Sequence, residues 1–187
     1  MRGVLASLLV LIFAVNAGRA QQNLKFRHIT VDQGLSQSIV QCILKDHKGF
    51  MWFGTRDGLN KYDGNSFTIY RYDAEKKGSI STNYINDIYE DKQGNLWIAT
   101  RSGLNRFDRK NNSFSQFNLG ENTGVFVSNI LEDRKGRVWL TTKKGFFQVD
   151  LLTGTYKVYQ HDRNNSHSIT NNEVTRIAED LNGYLWV

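Results

Sequence analysis

The sequence predicts an all-β chain made of β-propeller blades, each of four antiparallel strands, with three blades complete, a fourth begun and the ring incomplete within 187 residues. Three observations carry that reading. One phrase recurs along the chain, the apolar runs inside it are too short for helices, and length varies only between its copies.

The phrase is DHKGFMWFGTRDGLNKYD from Asp46 to Asp63, DKQGNLWIATRSGLNRFD from Asp91 to Asp108, and DRKGRVWLTTKKGFFQVD from Asp133 to Asp150. A fourth copy begins DLNGYLWV at Asp180. A tryptophan follows the first Asp by six residues in every copy, and Trp52, Trp97, Trp139 and Trp186 are all the tryptophans present. The opening aspartates stand 45, 42 and 47 residues apart, and the stretches from a closing Asp to the next opening one are 28, 25 and 30 residues. A period of roughly 40 to 50 residues with many short strands is that of propeller blades, with insertions falling in loops.

Each element follows in order. The first strand of a blade is read from VQCILKD, INDIYED, VSNILED and VTRIAED, with Val or Ile six residues and Ile three residues ahead of the Asp. A D-x-x-G turn follows, ending in Gly49, Gly94, Gly136 and Gly183, with Asp and Gly where a type I turn favours them. The second strand is MWFGT, LWIAT or VWLTT, β-branched and too short for a helix. Gly58, Gly103 and Gly145 end the next turn, where glycine takes positive φ without steric cost. LNKYD and LNRFD then alternate at period two, and FTIYRY, FSQFNL and YKVYQH supply the fourth strand. The repeats span about residues 39–73, 84–118, 127–160 and 174–187.

In this reading the Asp caps a turn, the Gly permits it, and the Trp fills the gap between blades, burying about 150–250 Å². Residues repeated in every blade are architecture, whereas catalytic residues are usually unique within a repeat array. No catalytic residue, cofactor or metal site is therefore expected. Nucleophile elbows, phosphate loops and dinucleotide fingerprints are absent from the sequence.

The N-terminus, MRGVLASLLVLIFAVNAGRAQQ, has a basic start, an apolar run from Val4 to Val15 and a Gly18-x-Ala20 cleavage site. It reads as a secretory signal peptide, residues 1–20, leaving a partial propeller over 21–187 and a periplasmic location. Removing Arg2 and Arg19 reduces the formal charge from +6 to +4, too little and too scattered for a nucleic-acid partner. The lone Cys42 forms no internal disulfide and is read as a small buried hydrophobe. Because a ring typically needs about 4 to 8 blades, the sequence is expected to be the N-terminal piece of a longer product that is aggregation-prone or dynamic alone.

The stretch FRHITVDQGLSQSIVQCILKDHKGFMWFGTRDGLNKYDGNSFTIYRYD, Phe26 to Asp73, resembles the opening of the two-component-regulator propeller family, and DKQGNLWIATRSGLNRFD resembles its repeat. The resemblance implies an extracytoplasmic sensor of a hybrid two-component system of the kind found mainly in Bacteroidetes. In such proteins two seven-bladed propellers lead through a β-sandwich domain and a membrane helix to a cytoplasmic histidine kinase. It further implies an oligosaccharide ligand, a membrane-anchored kinase, the remaining blades as partners, and a homodimer. One departure is that this chain has no proline. The matched motif is the scaffold motif, so it carries no ligand residue onto this chain.

Two other chemistries have partial patterns in the sequence. DRNNSHSITNNE places Asp162, Asn164, Ser166, Ser168, Thr170 and Glu173 at calcium-loop spacing, but His167 stands where the turn requires glycine and no helices flank it. His28, His47, His161 and His167 show no metal spacing. Sugar-binding candidates on the blade-connecting loops are Tyr84, Asn86, Asn171 and Asn172, which suit ordinary turns equally well. The alternative function is a secreted propeller enzyme, glycan-cleaving or quinoprotein, or a non-enzymatic glycan-binding module. Nothing in these residues supplies an enzyme's parts.

Overall fold

The computed structural model describes residues 25–187. The signal-peptide reading of residues 1–20 lies outside them. Alternating β-branched and apolar runs between Gly-containing turns leave four short antiparallel strands per repeat as the way to pair every backbone group. The first blade is β1 (Val40–Lys45), β2 (Met51–Thr55), β3 (Gly58–Tyr62) and β4 (Phe67–Tyr70). The second is β5 (Ile85–Glu90), β6 (Leu96–Thr100), β7 (Gly103–Asp108) and β8 (Ser113–Gln116). The third is β9 (Val127–Glu132), β10 (Val138–Thr142), β11 (Gly145–Val149) and β12 (Tyr156–Tyr159). A two-stranded ribbon, β13 (Ala178–Glu179) with β14 (Leu185–Trp186), follows. In every blade the spatial order of the strands is the sequence order, so each sheet is a meander.

Short hairpins force this order. Gly58 has φ +116°, and a Cβ there would lie 2.6 Å from the Tyr70 carbonyl oxygen, so only glycine closes the β2–β3 turn against β4. The first strand of each full blade carries an extra residue: the pairing slips between Val40 and Cys42, between Ile85 and Asp87, and opposite Thr141 and Thr142. Such bulges add local twist.

The core lies between the sheets. Trp52 of blade 1, fully buried, packs with Leu59 and with Ile80, Ile85, Ile88, Leu96, Ile98, Phe107 and Phe114 of blade 2 and its entry loop. Trp97 stands in the equivalent cluster between blades 2 and 3, with Val127, Ile130, Leu140 and Phe147. Trp139 packs with Phe146 and Ile177, while Trp186 on β14 is 67% exposed. Trp52, Trp97 and Trp139 thus serve as wedges between neighbouring sheets.

Candidate functional site

Antiparallel meanders sort the connections to two ends. One end carries the D-x-x-G turns. There Asp46 Oδ1 accepts the backbone N–H groups of Lys48 and Phe50 at 3.0 and 2.9 Å, and Oδ2 accepts the Trp52 indole N–H at 2.9 Å. Asp91 makes the same bonds to Gln93, Asn95 and Trp97, and Asp133 to Lys135, Arg137 and Trp139, all between 2.8 and 3.0 Å. Asp180 repeats them with Asn182, Tyr184 and Trp186. Gly49, Gly94, Gly136 and Gly183 each donate a backbone N–H to the carbonyl of the opening Asp. Burial pushes the carboxyls of Asp46, Asp91 and Asp133 up, but the indole donor and the turn N–H groups outweigh it and hold all three below the usual carboxylate range. The closing aspartates cap the next turn: Asp63 accepts from Asn65 and Ser66, Asp108 from Lys110 and Asn111, Asp150 from Leu152 and Thr153.

The same end holds a clasp between blades. The residue after each opening Asp meets a glutamate just ahead of the next one: His47 Nδ1 lies 2.6 Å from Glu90, Lys92 Nζ 2.6 Å from Glu132, and Arg134 donates its backbone N–H to Glu179 at 2.9 Å. Among the described residues no buried side-chain polar atom lacks a hydrogen-bond partner.

The other end carries the β2–β3, β6–β7 and β10–β11 turns and the long blade-connecting loops. Of the four candidates there, Asn86 Nδ2 donates to the Val127 carbonyl at 2.6 Å and so ties blade 2 to blade 3. Asn171 Oδ1 accepts the Glu173 N–H at 2.9 Å within its own turn. Asn172 accepts the His161 N–H on its side chain and the Gly145 N–H on its carbonyl, both at 2.6 Å. Tyr84 alone faces charged side chains: the guanidinium carbons of Arg101 and Arg56 lie 3.9 and 5.3 Å from its ring centre. One blade on, Phe126 takes the place of Tyr84, with Arg101 at 6.0 Å and Lys143 Nζ at 5.3 Å.

The residues at calcium-loop spacing close a loop instead of converging. Ser168 Oγ accepts the Asp162 N–H at 2.9 Å and donates to the Asp162 carbonyl at 3.0 Å, while Asp162 Oδ1 is taken by the Asn164 N–H. Ser79 and Asp73 make the same closure two blades earlier. Among the described residues no three His, Cys, Asp or Glu side chains are placed to hold a metal ion.

Sequence reasoning missed a buried polar knot at this end. Asn60 Oδ1 accepts the Ser36 N–H at 2.8 Å, its Nδ2 donates to Ser36 Oγ at 2.8 Å, and Ser36 Oγ is 2.8 Å from Thr55 Oγ1. Asn105, Ser81 and Thr100 repeat it in blade 2. The spacing that could have revealed it, a Ser 24 residues ahead of an Asn, stands in the sequence twice.

Comparison with known proteins fits this geometry. The two-component regulator propeller family matches at residues 34–57, 79–102 and 120–144, one match for each blade-opening region. Histidine kinase P4 of Formosa agariphila is 44% identical over 79 residues, covering 42% of this chain and 6% of that protein. Among solved structures, the extracellular domain of a hybrid two-component system from B. thetaiotaomicron superposes with TM-score 0.72 at 27% identity, over 85% of this chain and 23% of that one. A second extracellular domain from the same organism gives 0.71 at 28%, over 87% and 24%. Virginiamycin B lyase from Staphylococcus aureus, 14% identical with TM-score 0.61 over 89% of this chain and 53% of its own, shares the fold alone. The chain spans less than a quarter of the two extracellular domains and a smaller share of the kinase. With the repeat, the four-stranded blades and these relatives agreeing, the chain carries three repeats that match the two-component regulator propeller family.

Proposed function

We propose that this propeller is the extracytoplasmic, non-enzymatic sensor part of a two-component signalling protein that binds an oligosaccharide and biases a histidine kinase across the membrane. One observation carries the reading: a chain of the same fold at 27% identity is the extracellular domain of a bacterial hybrid two-component system. The site geometry supports it. Each opening Asp of the repeat is bonded to its own turn and tryptophan, as scaffold residues are, and among the described residues the polar groups of the core are paired. The exposed end with Tyr84 and its cations is the place where a ligand would be met. Among the described residues no helix is long and apolar enough to cross a membrane.

Reading the gene past the Val187 codon tests the architecture, and phosphorylation of the full-length product with and without oligosaccharides tests the output. The expected result is a reading frame that runs through further repeats to a membrane helix and a kinase whose phosphorylation responds to one glycan class. A frame that closes the propeller and stops, or a kinase indifferent to every glycan, would overturn the reading.

A further inference from the structure

The cations at the exposed end form a row that the scaffold does not require. Arg56, Arg101 and Lys143 open the equivalent turns of three successive blades, and Tyr84 and Phe126 stand directly before the first strands of blades 2 and 3. Contacts run along the row in the order Arg56, Tyr84, Arg101, Phe126, Lys143, each cation within 6.0 Å of a ring centre. All three cations are exposed and both rings are half-buried.

Countercharge is nearly missing. Lys143 meets Glu173 at 3.2 Å, both more than half exposed, a pairing worth little in water. Among the described residues neither guanidinium has a carboxylate within ion-pair distance, yet both converge on the same tyrosine ring. Bringing like charges together on one ring is electrostatically unfavourable until an anion joins them. Three other arginines of the repeat are treated differently: Arg71, Arg109 and Arg137 each sit on an aspartate of the fold.

We propose that this row is an anion-recognition site and that the sensed glycan is an anionic oligosaccharide carrying carboxylate or sulfate groups; the proposal rests on the sensor reading above. Stacking on Tyr84 and Phe126 holds the flat guanidinium groups in place before a ligand arrives, which lowers the ordering cost of binding. A guanidinium offers paired N–H donors that match a carboxylate or sulfate edge. The regular step from blade to blade suits a polymer with charges at repeated intervals.

The test is calorimetric titration of the full-length protein with three probes at low and high salt: an oligogalacturonate, a sulfated galactan oligosaccharide and a neutral cello-oligosaccharide. The expected result is binding of one or both anionic probes, weakened at least tenfold by high salt and by the double variant Arg56→Ala/Arg101→Ala. The uronate and sulfate arms tell which anion is read. Because both arginines are exposed, the double variant should melt like the parent; if it does not, the single variant Arg101→Lys, which keeps the charge but loses the flat stack, should still weaken binding several-fold. Binding of the neutral probe alone, anionic binding indifferent to these variants, or equal affinity for a single-stranded oligonucleotide would overturn the anionic-glycan proposal and leave the sensor reading standing. No binding of any saccharide would overturn both.

Discussion

Arg109, directly after β7 in blade 2, reaches back to blade 1 and donates from Nη1 to Asp46 Oδ2 at 2.7 Å. Its Nη2 holds Glu90 at 2.7 Å. In blades 2 and 3 the same carboxylate oxygen is met by the residue four places after the Asp, Asn95 Nδ2 at 2.9 Å and Arg137 Nε at 2.6 Å. Blade 1 has Phe50 at that place, and the neighbouring blade supplies the donor its own turn lacks. The Asp46 carboxyl is fully buried and Arg109 is 18% exposed, so the pair is shielded from water. Arg109→Ala is expected to cost about 1.5–3 kcal/mol, the range of a hydrogen bond to a charged group. Lys92→Ala, at a 73% exposed lysine, should cost less than about 1 kcal/mol. Urea melts of the two variants that superimpose would remove the inter-blade link from the account of stability.

Acid should unfold the blades through their turn carboxylates. Asp46, Asp91, Asp133 and Glu132 all have folded-state values held below normal. For Glu132 the Lys92 ammonium and then the Tyr89 hydroxyl do this. A depressed value means that the stabilisation is fully present above the unfolded value, about 4 for a carboxylate, and is lost as pH falls through the lower folded value. The melting temperature should therefore be flat from neutrality to about pH 5 and fall steeply below about pH 4. Asp91→Asn should have a lower plateau and a shallower acid fall. A parent melting temperature unchanged down to pH 3 would contradict the assignment.

The indole hydrogen bond and the indole's burial can be separated. Trp97 is 3% exposed and donates to Asp91 at 2.8 Å. Trp97→Phe removes the donor and part of the wedge, and Asp91→Asn removes the charge that draws it. Contacting residues in one network couple by about 0.5–3 kcal/mol in a double-mutant cycle. We expect coupling near the middle of that range for this pair, read from denaturant midpoints of the four proteins. Additive effects would mean that Trp97 acts by packing alone.

The order of strands, both turns and the wedge role of the tryptophans were legible because each is written as a local pattern: D-x-x-G for a turn, alternation for a strand, one Trp per period. The links between blades were not. Glu90, Glu132 and Glu179 look like ordinary solvent-facing ends of strands, and only the stacking of sheets brings His47, Lys92 and Arg134 to them. Arg109 lies 63 residues from Asp46, and nothing in the local sequence marks it. For the candidate site, Tyr84 was legible as an aromatic on a connecting loop. Its pairing with Arg56 and Arg101 depends on two turns whose closeness follows from the blade geometry.

Cys42 should be chemically silent. Burial first, then the negative charge of Asp87, pushes its thiol up to about 12. At pH 8 the thiolate, which is the reactive form, is then scarcer by roughly three orders of magnitude than for an ordinary free cysteine. Iodoacetamide at pH 8 should leave the native protein unlabelled on a timescale that labels it fully in urea. Rapid labelling of the folded protein would show that the strand is open.

The Asn105 knot yields the most discriminating prediction, because blade 3 shows what the fold does without it. Asn105 is 1% exposed and ties Ser81, which leads into blade 2, to the β7 strand. At the equivalent place in blade 3 stands Phe147, fully buried, and Thr123, at the Ser81 position, turns instead to the Leu119 N–H at 2.8 Å. The two solutions are each complete, one polar and one apolar, and mixing them leaves a group unpaired. Asn105→Leu takes away the partner of the half-buried Ser81 N–H and one of the two partners of its hydroxyl, at a cost of about 1–3 kcal/mol. Phe147→Asn loses apolar burial and finds no serine to answer it, for a cost of about 3–5 kcal/mol, as for truncating a buried aromatic. Replacing Ser81 together with Asn105, as Ser81→Ala/Asn105→Leu, should recover part of the first loss, since the hydroxyl that loses its Asn105 bond is then gone. If the double variant is less stable than the sum of its singles predicts, the knot is held by packing and not by its hydrogen bonds.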